Sequence, residues 1–291
     1  MDICINFNDW EKKSCFIITR FNLKLFSRDK KNRVTLTDQW LKERFELFDT
    51  YCYPSVKGQI LQNFYWICLF ADDTPEFYKQ KIFAKRSEYD SFLPVFLDEE
   101  KTHNYNKYIN NIIESLKDDS KRLITIRLDN DDSIHKDYTR RLEELYGSQS
   151  EKEVCYSFKY GLQYYTKKSL AVRIPYPTNH FLCLINKEYN KTEIKNILEY
   201  NHACPDSFPF IFKCLNDKEP MWIEVVHGRN VDNDCKMTLD QKVMCTPNLL
   251  ISNFNVFKTL SPLQSRMGIF TYLIPSFIKQ FVHRLRTKVK L

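Results

Sequence analysis

The first half of the chain alternates short apolar runs with segments whose apolar residues recur at helical spacing. Spacings of three or four, as in Leu41, Phe45 and Phe48, predict helices between the runs. Strands that alternate with helices imply right-handed crossovers and a mostly parallel sheet. The pattern therefore predicts an α/β domain. The four predicted strands are Cys15–Thr19, Tyr65–Phe70, Phe92–Leu97 and Leu123–Ile126.

Beyond residue 150 the apolar runs become shorter and richer in tyrosine. They predict a β-hairpin around Gly161, two later strands, and a helical segment between those strands. The predicted elements are the hairpin strands Val154–Tyr160 and Gln163–Val172, the strands Phe181–Ile185 and Met221–His227, and the helix Tyr189–Tyr200.

Polar residues follow each predicted strand of the first half, and the largest group is Asp129-Asn130-Asp131-Asp132, here called the acidic turn. Three carboxylates at the end of a buried strand are costly to desolvate unless a cation or a partner neutralises them. Ligands of α/β sheets bind at such strand ends. The turn therefore predicts a divalent-metal site of the DxD type that holds a nucleotide diphosphate. An ordinary surface turn or helix cap uses the same residue types and stays the alternative.

The amino-acid composition limits the ligands and the cellular compartment that fit this chain. The 291 residues include only 5 glycines and neither GxGxxG nor GxxxxGK[ST], so a metal and basic side chains must hold any bound phosphate. The net charge of +7, with a basic tail from Lys279 to Lys290, favours anionic partners. Ten cysteines without a CxxC pair favour a reducing cytosol. Neither a signal peptide nor a membrane-spanning stretch is evident from the sequence.

Five segments together resemble one protein family: FIITRFNL, YCYPSVKGQ, NFYWICLFADDTP, TIRLDNDDSIHKDY and MWIEVVHGRN. They are similar to the putative rhamnosyltransferase family of bacterial glycosyltransferases, and the resemblance extends from Phe16 to Asn230. It implies a GT-A-like domain over residues 14–235, with a Rossmann-like mixed sheet flanked by helices. It also implies transfer of a sugar, rhamnose by the family name, from a nucleotide-diphosphate donor to a glycan or lipid-linked acceptor in surface polysaccharide synthesis.

The resemblance also implies roles for individual residues. Asp131 would bind Mg²⁺ or Mn²⁺ directly, and Asp129 would bind the donor ribose, the sugar or a metal-bound water. His227, at a strand end, would bind the metal or a phosphate, although a lone histidine is more often structural. Arg20 would meet the nucleotide base or the diphosphate, unless it only pairs with a nearby acid. The remaining predicted donor-binding residues are Asn22, Arg127 and Asn130.

An inverting transfer needs a general base that takes the proton of the acceptor hydroxyl. Asp206, before the apolar, helix-like stretch Phe208–Leu215, is the first candidate, and a plain helix N-cap is its alternative role. Glu224 is the second candidate, although alternation along its strand could also point it to solvent. If the enzyme retains configuration, neither residue is required as a base.

Residues 236–291 form a predicted C-terminal extension. Within Ile274–Leu291, Phe277, Phe281 and Leu285 share one face of a helix whose other face is basic. Such a helix either lies on an anionic bilayer or packs on the domain with its basic face in water. The first alternative predicts a cytoplasmic protein that is peripheral on the inner face of the membrane.

Other functions have less support from this sequence. A GT-A-like module that binds a nucleotide sugar or glycan without transferring it is the main alternative. Nucleic acid is not an expected partner, because acidic strand ends repel phosphates and the basic residues do not alternate with aromatic ones in one patch. A metal-dependent phosphohydrolase would need more converging ligands than the sequence offers.

Overall fold

The elements of the fold are taken from a computed structural model, which describes residues 10–25, 36–189, 194–227, 243–244 and 247–256 and the single positions 263, 267, 274 and 278. The strands are β1 (Cys15–Arg20), β2 (Tyr65–Ala71), β3 (Phe92–Leu97), β4 (Leu123–Arg127), β5 (Ser133–Ile134), β6 (Glu153–Phe158), β7 (Tyr160–Tyr165), β8 (Leu170–Pro175), β9 (Cys183–Asn186), β10 (Ile211–Leu215), β11 (Trp222–Val226) and β12 (Val243–Met244). The α-helices are α1 (Asp38–Leu47), α2 (Tyr53–Lys57), α3 (Glu76–Glu88), α4 (Glu99–His103), α5 (Tyr105–Leu116), α6 (Tyr138–Ser148) and α7 (Pro247–Phe254).

Seven strands form the main sheet, in the order β10-β6-β9-β4-β1-β2-β3. Strand β9 is antiparallel to its neighbours β4 and β6, whereas the other neighbouring pairs are parallel. Helices separate β1 to β4 along the chain, as the hydrophobic pattern predicts. The predicted fold class, an α/β domain with a mixed and mostly parallel sheet flanked by helices, is therefore confirmed.

A second sheet has the order β12-β8-β7-β11-β5. Its strand β5 follows the acidic turn directly and pairs antiparallel with β11, so that Ser133 faces Ile223 and Ile134 faces Trp222. The acidic turn therefore leads the chain from the main sheet, where β4 ends, into the second sheet. This connection places the carboxylates between the two sheets.

The buried strands of the main sheet feed two hydrophobic cores. In β1, Phe16 and Ile18 belong to one core, together with Ile109 and Ile113 of α5. Ile17 points to the opposite core, which also contains residues of α1, α6 and the second sheet. Because both faces of the main sheet are covered, the sequences of its strands are continuous apolar runs, as in parallel sheets generally.

Three elements of the second half differ from the sequence-based expectation. The hairpin is formed by β7 and β8, whereas β6 belongs to the main sheet and Gly161 lies inside β7. Phe208–Leu215 contains strand β10 and no helix. Within the described part of Tyr189–Tyr200, only Ile197–Glu199 is helical, as a 3-10 turn. Short apolar runs fit strand and helix equally well, so tertiary contacts decided these segments.

Gly161 lies in β7 because the Trp222 ring occupies the space beside it. A Cβ atom at this position would lie 2.0 Å from the Trp222 ring. We expect Gly161→Ala to lower the free energy of unfolding by about 1–3 kcal/mol, as overpacking does in well-packed cores. Urea denaturation of the two proteins measures the difference.

Gly147→Ala is the matched control. Gly147 lies in α6, and a Cβ atom there would have nothing within 4 Å. Alanine at a helical position should raise the free energy of unfolding by roughly 0.5–1 kcal/mol. Equal stability of the two variants would contradict the packing role of Gly161.

Helix α7 packs on the outer face of the second sheet. Leu250 and Phe254 form a core with Ile223 and Val225 of β11, and the Asn255 side chain donates a hydrogen bond to the Gly58 carbonyl over 3.0 Å. No helix within the described residues is both long and apolar enough to span a bilayer. The predicted domain boundary at residue 235 and the face formed by Phe277, Phe281 and Leu285 lie outside the described residues.

Candidate active site

The acidic turn follows β4 at the carboxyl end of the parallel strands. The Leu128 amide donates to the Ile18 carbonyl over 3.1 Å, and the Asp132 amide donates to the Asp129 carbonyl over 3.3 Å, which closes the turn. Asp131 and Asp132 are only 6% and 1% exposed, whereas the Asp129 side chain keeps 34% of its surface. Two carboxylates of the turn are thus inside the protein and one faces outward.

Asp131 is neutralised by two cationic or cation-forming side chains. Its Oδ2 atom accepts hydrogen bonds from Arg44 of α1 over 2.6 Å and from His227, directly after β11, over 2.8 Å. Burial alone would raise the pKa of Asp131, but Arg44 and His227 outweigh burial and hold this pKa below its ordinary value of 3.8. Asp131 therefore stays ionised and links α1, the acidic turn and the end of the second sheet.

Asp132 joins the turn to the second sheet and to His180. Its Oδ1 atom accepts from the Val225 amide over 2.9 Å, and its Oδ2 atom lies 2.7 Å from His180 Nε2. Burial raises the pKa of Asp132 to about 7, and the neighbouring carboxylates add to this effect against the hydrogen bond from His180. Burial lowers the pKa of His180, but the hydrogen bond to Asp132 and the nearby carboxylate charges together raise this pKa by more. The pKa of His180 is therefore above its ordinary value. Burial therefore favours the neutral form of Asp132, and the bond to Asp132 favours the charged form of His180.

Asp129 has a weaker partner within the protein. Its Oδ2 atom lies 3.4 Å from Arg127 Nη2, and Arg127 Nη1 donates to His202 Nδ1 over 3.2 Å. Burial raises the pKa of Asp129, but the charges of Arg127, His180 and Arg20 lower it more and keep the carboxyl ionised. Asp129 is therefore an ionised carboxylate with part of its surface open to solvent.

Asp129, Asp132 and His180 are the residues that the structure brings together as potential metal ligands. One ligand atom from each lies within 4.8 Å of the others. Two carboxylate oxygens and an imidazole nitrogen are a suitable donor set for a divalent cation, and the carboxylates suit Mg²⁺ and Mn²⁺ in particular. The donor set therefore fits the predicted metal. Asp131 and His227 pair with each other instead, so a ligand role for either of them stays a prediction.

Three predicted donor-binding residues have clear contacts. Asn22 is buried, donating to the Thr74 hydroxyl over 2.9 Å and accepting from the Ala71 amide over 3.1 Å. Asn130 donates to the Phe21 carbonyl over 2.7 Å and accepts from Arg44 over 3.1 Å. Arg20 lies 3.4 Å from the Tyr105 hydroxyl. Both asparagines thus hold loops at this edge, and their donor-binding roles stay predictions.

The two candidate bases lie in different environments. Asp206 is exposed in the 3-10 turn Pro205–Ser207, whose N-cap is Cys204, so the residue is not the cap itself. Glu224 is completely buried on β11, and its Oε2 atom accepts a hydrogen bond from Gln163 over 2.6 Å. The expectation that alternation could point Glu224 to solvent is therefore wrong, because both faces of β11 are covered.

Sequence analysis missed four residues of this site: Arg44, Asp132 as a ligand, His180 and His202. Asp132 carried a signal, since it belongs to the acidic turn. Arg44 lies on α1 and His180 on a loop, each 22 or more positions from the nearest predicted site residue, and His202 lies on a loop four positions before Asp206. Their local patterns predict a helix or a loop and give no indication of what they contact.

The match to one protein-family model agrees with the sequence-based resemblance. A family model described as "Putative rhamnosyl transferase" matches residues 14–239. Among solved structures, the chain is similar to "Crystal structure of S. aureus TarS 1-349", with 9% sequence identity and a TM-score of 0.40 over 73% of this chain. The match covers 60% of that chain, which is less than two thirds of its length. No curated protein matches the sequence.

Proposed function

Because the chain belongs to the "Putative rhamnosyl transferase" family and is thus a glycosyltransferase, we propose that it transfers rhamnose from a nucleotide-diphosphate donor with the help of a divalent cation. The acceptor in this proposal is the hydroxyl of a glycan or of a lipid-linked saccharide. The proposed fold type is GT-A, and the proposed stereochemical course is inversion.

The observation that carries the proposal is the acidic turn at the carboxyl end of the parallel strands. It combines an outward-facing carboxylate, Asp129, with the buried pair Asp132 and His180 at distances that suit one cation. Buried acidic groups at this edge are expensive unless they serve to bind a cation or a ligand. A bound Mn²⁺ or Mg²⁺ would neutralise the negative charge that develops on the leaving diphosphate.

Basic side chains around Asp129 support a diphosphate at the same place. Arg127, His180 and Arg20 all act electrostatically on Asp129 and lower its pKa. In this proposal Arg127 and Arg20 bind the donor phosphates, and His202 orients Arg127 through their 3.2 Å contact. Asp131, with Arg44 and His227, fixes the conformation of the turn.

For the proton of the acceptor hydroxyl, we favour Glu224 over Asp206. A buried carboxylate interacts more strongly with a nearby hydroxyl than an exposed one does, because the surrounding dielectric constant is low. Glu224 is also close enough to His180 to act on it electrostatically. Asp206 is exposed to solvent. Attack of the acceptor oxygen on the anomeric carbon from the face opposite the diphosphate gives inversion.

We propose that the enzyme works at the cytoplasmic face of a membrane, where lipid-linked acceptors are found. The basic tail from Lys279 to Lys290 supports this proposal, since basic segments are attracted to anionic lipids. Surface polysaccharide synthesis is the proposed pathway. Binding of a donor without turnover would instead favour a non-catalytic nucleotide-sugar or glycan module.

A thermal-shift screen tests the donor site. Purified protein is heated with UDP, GDP, CDP or dTDP, each with Mn²⁺ and with EDTA. We expect one nucleotide to raise the melting temperature only with metal, because a ligand at a hundred times its dissociation constant stabilises the native state by about 2.7 kcal/mol. If no nucleotide raises the melting temperature under either condition, the proposed donor site is wrong.

A further inference from the structure

Three polar side chains form a hydrogen-bonded row on the inner face of the second sheet. The Tyr165 hydroxyl donates to Gln163 Oε1 over 2.7 Å, and Gln163 Nε2 donates to Glu224 Oε2 over 2.6 Å. All three residues are buried. Around them, Leu170, Val172 and Trp222 make this layer apolar. A polar row in such a layer is costly unless its hydrogen bonds serve a purpose.

The row provides a hydrogen bond to only one of the two carboxyl oxygens of Glu224. Glu224 is completely buried, and its Oε1 atom has no hydrogen-bond partner in the described part of the chain. Most buried polar atoms in proteins do have a partner. An ionisable group with one oxygen hydrogen-bonded and the other without a partner among the described residues is arranged to meet a further group.

Glu224 lies close enough to His180 to act on it electrostatically. Along β11, Ile223 and Val225 point into the outer core, so Glu224 shares the opposite face with Trp222. The Trp222 ring stacks on Phe181 with ring centroids 5.0 Å apart, and Phe181 follows His180 directly. The register of β11 against β7 places Glu224 beside Gln163. Glu224 is therefore presented toward His180 and the acidic turn.

The direction of each hydrogen bond shows how Tyr165 sets the orientation of Gln163. Because the Tyr165 hydroxyl donates to the amide oxygen of Gln163, the amide nitrogen must face Glu224. A glutamine amide with a free orientation could present its oxygen instead, which would repel a carboxylate. Tyr165 thus fixes the orientation of the Gln163 amide, and Gln163 in turn holds the Glu224 side chain through its donated hydrogen bond.

We propose that Gln163 and Tyr165 are positioning residues that hold the Glu224 carboxylate for proton transfer from the acceptor hydroxyl. This inference rests on the proposed function. In the step, the acceptor oxygen forms a bond to the anomeric carbon, and the bond from that carbon to the diphosphate breaks with its electron pair on the leaving group. The hydroxyl proton passes to Glu224 Oε1.

The test compares Gln163→Leu, Tyr165→Phe and Glu224→Gln with the wild-type enzyme. The probes are dTDP-, UDP- and GDP-rhamnose as donors and methyl rhamnoside as acceptor, and released nucleoside diphosphate is measured from pH 5 to pH 9. General-base loss typically costs 10²–10⁴-fold, so we expect Glu224→Gln to lower kcat about a hundredfold. Gln163→Leu should lower kcat about tenfold and Tyr165→Phe about threefold, with an unchanged KM for the donor and a displaced acid limb of the pH profile.

Tyr164→Phe is the matched control. Tyr164 is the next residue on β7 but points to the opposite face, where its ring lies 5.7 Å from that of Tyr51. Removing its buried hydroxyl should leave kcat and the pH profile unchanged. If Gln163→Leu does not fold, which thermal melting reveals, Tyr165→Phe decides the question because it removes only one oxygen atom.

The outcomes separate this inference from the proposed function. If the wild-type enzyme turns over a donor but Tyr165→Phe behaves like Tyr164→Phe, the positioning role is wrong. The proposed glycosyltransferase activity then still stands. An unchanged pH profile with a reduced melting temperature would show a purely structural row. If the wild-type enzyme releases nucleoside diphosphate from none of the donors, the proposed function fails, and this inference fails with it.

Discussion

Replacing Asp129 by asparagine is expected to lower kcat/KM about a thousandfold and to abolish metal-dependent binding of the donor. Asp129 provides the outward-facing ligand of the proposed cation, and such a cation contributes several kcal/mol of charge stabilisation in the transition state. At about 1.4 kcal/mol for each factor of ten, its loss corresponds to roughly three orders of magnitude. Calorimetric titration with Mn²⁺ and the nucleotide, followed by steady-state kinetics, measures both effects.

The fold should survive this substitution. The pair between Asp129 and Arg127 is long, at 3.4 Å, and partly exposed, and such pairs contribute about 0–1 kcal/mol. Asp137→Asn is the matched control, since Asp137 lies near the same turn but pairs with Arg140 over 2.8 Å. Its activity should equal that of the wild-type enzyme. Unchanged metal-dependent binding in a folded Asp129→Asn protein would assign the cation to other residues.

Replacing Asp131 by alanine is expected to lower the free energy of unfolding by about 3–5 kcal/mol. The carboxylate is the buried counter-charge of Arg44, and both side chains are less than a tenth exposed. Removing one partner of a buried ion pair leaves the other charge without compensation, which costs this amount in comparable proteins. Chemical denaturation followed by circular dichroism measures the loss.

A double variant provides the control. Arg44→Met combined with Asp131→Leu removes both charges, and buried ion pairs replaced by apolar residues are often neutral in stability. The double variant should therefore be more stable than Asp131→Ala. If the double variant is as unstable as Asp131→Ala, the loss comes from the missing contact between the Asp131 carboxylate and His227 and not from the uncompensated charge of Arg44.

The ion pair between Asp131 and Arg44 makes the stability of the fold depend on pH in a predictable direction. The pKa of Asp131 in the folded state lies below its ordinary value of 3.8, so the unfolded chain binds the proton more tightly. The ion pair therefore contributes stability above that ordinary pKa, and this contribution is lost as the pH falls through the folded-state pKa. The stability of the wild-type protein should fall more steeply below about pH 4 than that of Asp131→Ala. Parallel slopes would contradict the ion pair.

Part of the candidate site was accessible from the sequence, because its chemistry is local. Asp129 to Asp132 are consecutive, they follow an apolar run, and a helical pattern follows them. This arrangement identifies an acidic strand end without any knowledge of the fold. Glu224 was accessible in the same way, as an acid within a strong strand pattern. The resemblance of five segments added the family, which the match over residues 14–239 supports.

What the sequence could not provide was the pairing between distant residues. Arg44 is 87 positions from Asp131, and His180 is 48 positions from Asp132, yet each pair is in contact. Whether a carboxylate binds a metal or is neutralised by an arginine depends on these contacts. Sequence analysis therefore assigned the metal to Asp131, Asp129 and His227, and the structure brings Asp129 together with Asp132 and His180.

The sequence by itself determined the α/β class, the four alternating strands of the first half and the position of the acidic turn. Hydrophobic periodicity is a property of neighbouring residues, so it is visible in one chain. The tertiary structure alone decided that β6 and β7 separate into two sheets, that Gly161 lies beside Trp222, and which partner each carboxylate has. These features depend on packing between segments far apart in the chain, and periodicity carries no information about which distant segments meet.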